Sequence, residues 1–199
     1  DAEKDEIKVD GKVIAERKEM LYYLMHKPVG IVTSNTVARR GTARRAPTVR
    51  DLLPEKLRGK IFPVGRLDKD TSGLLLFTND GVLAYRLTHP KFHHEKEYEV
   101  RVEKPIPDGA LKKLRDGLKI LGSKTKPATT KRLTARKFTI ALTEGRNRQI
   151  RRMCQKVGFP VKELKRVRIV SLKDGKLAEG KVRVLSEKEK GELLRAMGL

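Results

Sequence analysis

Four consecutive apolar residues, Leu74, Leu75, Leu76 and Phe77, follow directly on GRLDKDTSG, residues 65–73, which carries an arginine, a lysine and two aspartates. An apolar run without alternation reads as a buried strand. The residues before it are then a charged loop, and a buried strand gives such a loop a rigid exit on which a carboxylate is firmly held. Asp68 and Asp70 are so placed. Short aspartates between glycines also commonly do no more than cap turns, and spacing alone favours that plainer role.

The rest of the chain reads as strands joined by turns with helices irregularly interspersed. EIKVDGKVI is a hairpin turning at Asp10-Gly11. LYYLMHKPVGIVTS supplies a buried strand broken at Pro28 to Gly30, and a short helix is expected from Thr48 to Pro54. After LLLFT, the residues Asn79, Asp80 and Gly81 turn the chain into a helix that ends before His89-Pro90. In EKEYEVRV, Tyr98, Val100 and Val102 share one face, and Glu97, Glu99 and Arg101 the other. Asp108 to Asp116 reads as a helix stopped by Gly117, and Ile150, Met153, Cys154 and Val157 fall on one helical stripe, which makes Cys154 a core residue. SEKE at 186–189 is a capping box opening a last helix through Met197. The pattern argues for an α+β fold with a mixed, largely antiparallel sheet and flanking helices.

Charge narrows the function. With 47 Lys and Arg against 25 Asp and Glu, the formal net charge is +22, so the natural partner is an extended anion. Residues 35–50 carry Arg39, Arg40, Arg44, Arg45 and Arg50 without one acid, which reads as a basic loop. In EGRNRQIRRM, Arg148, Arg151 and Arg152 lie opposite the apolar stripe near a helix N-terminus, where the macrodipole also is positive. Phosphates or an internal carboxylate must offset them. A solvated basic face is the plain reading, but guanidinium clusters fork onto phosphate oxygens and favour nucleic acid.

Other chemistries find no motif. Ser72 lies in TSG, not in GxSxG, and the glycines match neither a P-loop nor a dinucleotide fingerprint. His89 and His93 are interrupted by Pro90, so no metal site is expected, and one cysteine with no CxxC pair leaves no expectation of sulfur chemistry. No cofactor is expected. No stretch reaches the roughly 18 to 20 apolar residues of a spanning helix, so a cytoplasmic protein without membrane contact is expected, by default a monomer.

GRLDKDTSGLLLFTNDG, EKEYEV and EGRNRQIRRMCQKVGFP, in this order, resemble the RsuA/RluB family of ribosomal RNA pseudouridine synthases. The likeness runs from Leu21 to about residue 186; IVSL at 169–172 and GKVR at 180–183 depart from IGPL and GEWR, common in that family. EKDEIKVDGK resembles the closing hairpin of the S4-type RNA-binding domain that usually precedes the catalytic one. The resemblance therefore implies an S4-domain remnant and linker over 1–19, with sequence missing before it. It implies a pseudouridine synthase catalytic domain over 20–199, two lobes around a central cleft.

It further implies Asp68 as the catalytic aspartate, as nucleophile or as base on a ribose proton; Tyr98 stacked on the uracil; and Arg151 paired with Asp68. Arg39, Arg40, Arg44, Arg45, Arg66, Arg146, Arg148, Gln149 and Arg152 are the candidates for holding RNA. The expected partner is ribosomal RNA with a single-stranded or loop uridine flipped out, 23S preferred and 16S possible. Two rivals stand beside this reading. One is a non-catalytic basic RNA-binding module of ribosome assembly; the other is a glycosidase or nucleosidase, which Asp70, pointing away from Asp68 in an extended segment, serves poorly.

Overall fold

The computed structural model describes residues 19–34, 46–173 and 175–199, together with the backbone of two short strands before them. Those two, β1 (Lys8–Val9) and β2 (Lys12–Val13), pair antiparallel around Asp10-Gly11, the hairpin expected there. The remaining strands are β3 (Tyr22–Lys27), β4 (Phe62–Pro63), β5 (Ser72–Thr78), β6 (Lys96–Val102), β7 (Lys119–Ile120), β8 (Ser123–Lys124), β9 (Thr129–Thr134), β10 (Lys137–Leu142), β11 (Val161–Ile169), β12 (Leu172–Lys173) and β13 (Val182–Val184). The helices are α1 (Gly81–Thr88), α2 (Asp108–Asp116), α3 (Gln149–Lys156) and α4 (Glu187–Ala196). Arg39, Arg40, Arg44 and Arg45 lie outside the described residues, as do most of residues 1–19.

One sheet runs β13-β3-β5-β11-β6-β10-β9, with β4 on β5 and β12 on β11. Every pairing in it is antiparallel except β5 with β11, where Lys165 faces Ser72 and Arg166 faces Gly73. That parallel pair is the seam between two halves.

On one side of the seam the apolar run is buried on both faces, Leu74 to Phe77 all being fully inaccessible. Leu74 and Leu76 pack with Leu83 and Leu87 of α1 and Leu193 of α4, while Leu75 and Phe77 pack with Met25, Leu53, Leu57 and Ile61. Burying each such side chain is worth about 1.5 to 3 kcal/mol, which fixes β5 as the central strand of this half. On the other side Val100 and Val102 pack with Leu111, Leu114, Phe138, Ile140, Met153 and Cys154. The opposite face of β6 is ionic: Glu97 pairs with Arg168 at 2.9 Å and Glu99 with Lys137 at 2.7 Å. Cys154 is core, its thiol pushed up to about 12 by burial.

The expected helix from Thr48 does not form. The backbone N–H and hydroxyl of Thr48 both donate to Asp51 Oδ2 (2.7 and 3.0 Å), closing a turn, and a 3-10 turn follows only after Pro54, at Glu55–Leu57. Asp51 N donates to Thr48 O at 3.0 Å and Leu53 N to Arg50 O at 3.2 Å, so the segment closes turns over three residues, and Pro54, which has no N–H and steers Leu53 out of the helical region, stops it before an α-helix can propagate.

The capping box of α4 does form: Ser186 Oγ accepts from Glu189 N, and Glu189 Oε2 accepts from Ser186 N at 2.9 Å. Arg183 adds a bidentate pair to Glu189, whose carboxyl is thereby held at about 2, chiefly by that hydrogen bonding. A carboxylate depressed on folding stabilises above its unfolded pKa of roughly 4.5, and that contribution is lost as pH falls through the folded value. Glu189→Gln is therefore expected to melt below the wild type at pH 7, the gap closing between pH 4.5 and 2 in thermal scans. No helix among the described residues is long and apolar enough to cross a membrane.

Candidate active site

The loop at residues 65–71 enters β5 at the seam, and its backbone is held at nearly every step around Asp68. Thr33 Oγ1 donates to Leu67 O (2.8 Å) and accepts from Leu67 N (3.2 Å). Gly30 N donates to Lys69 O at 2.8 Å, Arg151 Nη2 to Asp70 O at 2.7 Å, and Lys27 Nζ to Thr71 O at 2.7 Å. Thr71 N closes the turn on Asp68 O at 3.1 Å. A carboxylate on such a support keeps its orientation without help from the substrate.

Lys27 is the least expected part of this support. It ends β3 fully buried, its ammonium donating also to Pro28 O at 2.8 Å. Burial and the nearby Arg166 charge push it down to about 8, while Asp70 and Asp68 act in the opposite direction and favour the charged form. A lysine closing a strand of mostly apolar residues, just before a Pro-x-Gly turn, is the sequence signal that could have found it.

Asp68 is half-buried and lines a cleft of about 390 Å³ together with Arg66, Thr71, Tyr98, Leu142 and Leu164. Tyr98 reaches it from β6, where it stands opposite Arg166 of β11 and Ile140 of β10. The cleft therefore opens between the loop of one half and the strands and α3 of the other. Asp68 and Tyr98, adjacent only in the fold, are brought together.

Arg151 is placed differently from the expectation. Its Nε lies 3.2 Å from Asp70 Oδ2, and its Nη2 holds the main-chain oxygen of Asp70. Arg148 binds the same carboxylate in bidentate fashion at 3.0 and 2.8 Å. Asp70, not Asp68, is thus the internal carboxylate that offsets the arginines of α3, and Arg148 holds its carboxyl below the usual range. The cause is the turn at Lys69-Asp70, which sends Asp70 into a neighbouring groove with Arg151, Ser72 and Glu99.

Two of the residues expected to hold RNA, Arg146 and Gln149, line the cleft and also carry internal hydrogen bonds. Gln149 is buried; its amide donates to Glu144 Oε1 at 2.7 Å and its carbonyl accepts from Arg146 N at 3.0 Å. Arg146 donates to Glu144, to Ser123 O and Oγ, and to Lys124 O, so it fastens the β7–β8 hairpin to the cleft wall. Glu144 and the hairpin thus satisfy polar atoms of both residues at the cleft wall. Arg66 and Arg152 are exposed, Arg152 donating to Asn147 O and Oδ1 at 3.1 Å. Arg148 sits at the N-cap of α3 in a left-handed conformation, φ 48°.

A family model described as RNA pseudouridylate synthase matches residues 21–156. The dual-specificity RNA pseudouridine synthase RluF of Escherichia coli strain K12 is 36% identical over 193 residues, covering 96% of this chain and 64% of RluF. Ribosomal large subunit pseudouridine synthase B of Bacillus subtilis strain 168 is 38% identical over 191 residues, covering 93% of this chain and 75% of that protein. A crystal structure of pseudouridylate synthase superposes with a TM-score of 0.81 at 33% identity, covering 91% of this chain and 76% of the other. The chain spans less than two thirds of the length of the RluF relatives, 64%.

Proposed function

The chain belongs to the RNA pseudouridylate synthase family, and we propose that it isomerises uridine to pseudouridine in ribosomal RNA, 23S in preference to 16S, as a cytoplasmic monomer. The observation that carries this reading is Asp68 on a backbone fixed at both sides, facing a cleft that Tyr98 also lines. The target uridine leaves its stack, at a cost of a few kcal/mol, and enters that cleft. There Tyr98 lies against the base, and Asp68 acts as nucleophile or as base on the ribose. The bond from C1′ to N1 breaks and one from C1′ to C5 forms; C5 gives up its proton and N1 gains one. The change is redox-neutral and needs no co-reactant.

Arg151 serves this chemistry through Asp70, holding the turn that carries Asp68. Arg66, Arg148 and Arg152 are the described residues proposed to hold the backbone; Arg39, Arg40, Arg44 and Arg45 are proposed for the same role from sequence. Arg148 must exchange Asp70 for a phosphate to do so. With about six phosphate contacts to a single strand, the log–log dependence of RNA affinity on salt is expected to have a slope near −4. Fluorescence anisotropy across a salt series measures it.

The deciding experiment is incubation with unmodified transcripts of 23S and 16S RNA, followed by mapping of pseudouridine. Conversion of a specific uridine supports the proposal. Absence of product in both RNAs sinks it, and accumulation of free uracil replaces it with hydrolysis.

A further inference from the structure

Behind Tyr98 lies a second cleft, of about 400 Å³, that shares Arg66, Tyr98 and Glu144 with the first. Its lining includes Lys96 and Arg166, two buried or partly buried cations that the chemistry above does not use. Lys96 stands on the same face of β6 as Tyr98, two residues away. Arg166 is brought beside them by a register shift in β11 between Arg166 and Arg168. Residues two apart on a regular strand share a face; here the bulge separates them. Arg168 goes to the outer face, paired with Glu95 and Glu97, and Arg166 goes inward with 3% of its surface exposed.

Among the described residues the inward pair has no ion-pair partner in its hydrogen bonds or salt bridges. Arg166 Nε donates to Leu74 O at 2.7 Å, yet its buried Nη2 meets no hydrogen-bond partner among the described residues, nor does the buried Nε2 of His94, which also lines this cleft. Lys96 Nζ reaches only main-chain oxygens, of His94 at 3.1 Å and Leu87 at 3.4 Å. Glu144, the acid in the lining, is already committed to Arg146, Gln149 and Lys126 N. Burial and the Arg166 charge push Lys96 down to about 8. Two cations facing one another in a concave, partly buried site are unfavourable until an anion joins them.

We infer that this second cleft is a phosphate subsite, in which Lys96 and Arg166 take the backbone phosphate beside the flipped uridine. The inference rests on the proposed RNA substrate, since the cleft adjoins the one at Asp68 through Tyr98 and Arg66 and a strand entering the first passes the second. A phosphodiester brings one delocalised negative charge and oxygens for both an ammonium and a guanidinium donor.

The test is binding of fluorescein-labelled dodecauridylate to the full chain, measured across a salt series for wild type, Lys96→Met and Lys96→Arg. Lys96→Met is expected to raise Kd about tenfold and to make the log–log salt slope shallower by about 0.7, one phosphate on a single strand, with Lys96→Arg close to wild type. Unchanged affinity and slope in Lys96→Met overturn the subsite, whether or not the protein makes pseudouridine; loss of product with these binding effects intact overturns only the reaction. In the wild-type protein the Arg166 guanidinium NMR resonance should move on adding dodecauridylate. Its indifference refutes the inference even if Lys96→Met does not fold. A shift with inorganic phosphate but none with dodecauridylate assigns the cleft to a free anion, and likewise refutes it.

Discussion

Asp68→Ala is expected to abolish pseudouridine formation, by roughly 10⁴-fold or more in kcat, while RNA binding stays within about twofold of wild type or tightens. The split follows from where the side chain stands. Its carboxylate lines the cleft, but the bonds that hold its loop run through the main chain of Leu67, Lys69, Asp70 and Thr71, so truncation removes the reacting group and leaves the support. Removing an anion from a cleft also lined by Arg66 and Arg148 works in favour of phosphate, not against it. Product formation on the 23S transcript and anisotropy with the same RNA separate the two effects. A variant that retains turnover moves the chemistry to another residue; one that loses affinity in parallel makes Asp68 a structural residue.

The second large effect concerns stability. Gly73→Ala is expected to cost about 3 kcal/mol or more, and to leave the chain largely insoluble if its margin is small. A Cβ at Gly73 would lie 2.2 Å from Arg166 O and 2.5 Å from Arg166 N, and φ there is +106°, where L residues are strained. Neither strand can retreat, because Arg166 opposite Gly73 is one of the two register pairs joining β5 to β11. Gly109→Ala is the matched control: it lies in α2 with nothing within 4 Å of the added carbon, and is expected to gain about 0.5 to 1 kcal/mol. Urea unfolding of the two variants beside wild type measures both. Equal effects would show that the close approach of the strands does not matter.

The parts of the molecule that were readable in advance are those that local chemistry decides. The apolar run at 74–77 forms a strand because nothing else hides every residue of it, and it is covered on both faces. α2 ends at Asp116 because Gly117 follows, and α4 begins where Ser186 and Glu189 exchange hydrogen bonds. The helix expected from Thr48 fails for a local reason as well, since Pro54 follows before an α-helical turn can propagate.

Contacts within one motif are easier to anticipate from sequence than those where two distant segments meet. The family resemblance singles out Asp68 and Tyr98, and both line one cleft. The partner of Arg151 depended on a turn of two residues, Lys69 and Asp70, against a helix some eighty positions later, and periodicity carries no information about that encounter. Lys27 and Thr33 escaped notice for the same reason, because each acts by bonding a backbone about forty residues away. Gln149, a polar residue between arginines, reads as exposed, but the helix phase buries it against Glu144 at the cleft wall.

The sheet passes without interruption from β13 to β9, so the same ladder of hydrogen bonds crosses beneath both walls of the cleft. The walls consequently cannot swing as separate jaws without tearing main-chain bonds along β5 and β11. For the proposed RNA substrate, the larger adaptation is therefore expected of the nucleic acid, which favours loops and loosely stacked nucleotides over rigid duplex. In the proposed reaction, selection among uridines is expected to begin with how readily each site deforms, ahead of any reading of its neighbours' base edges.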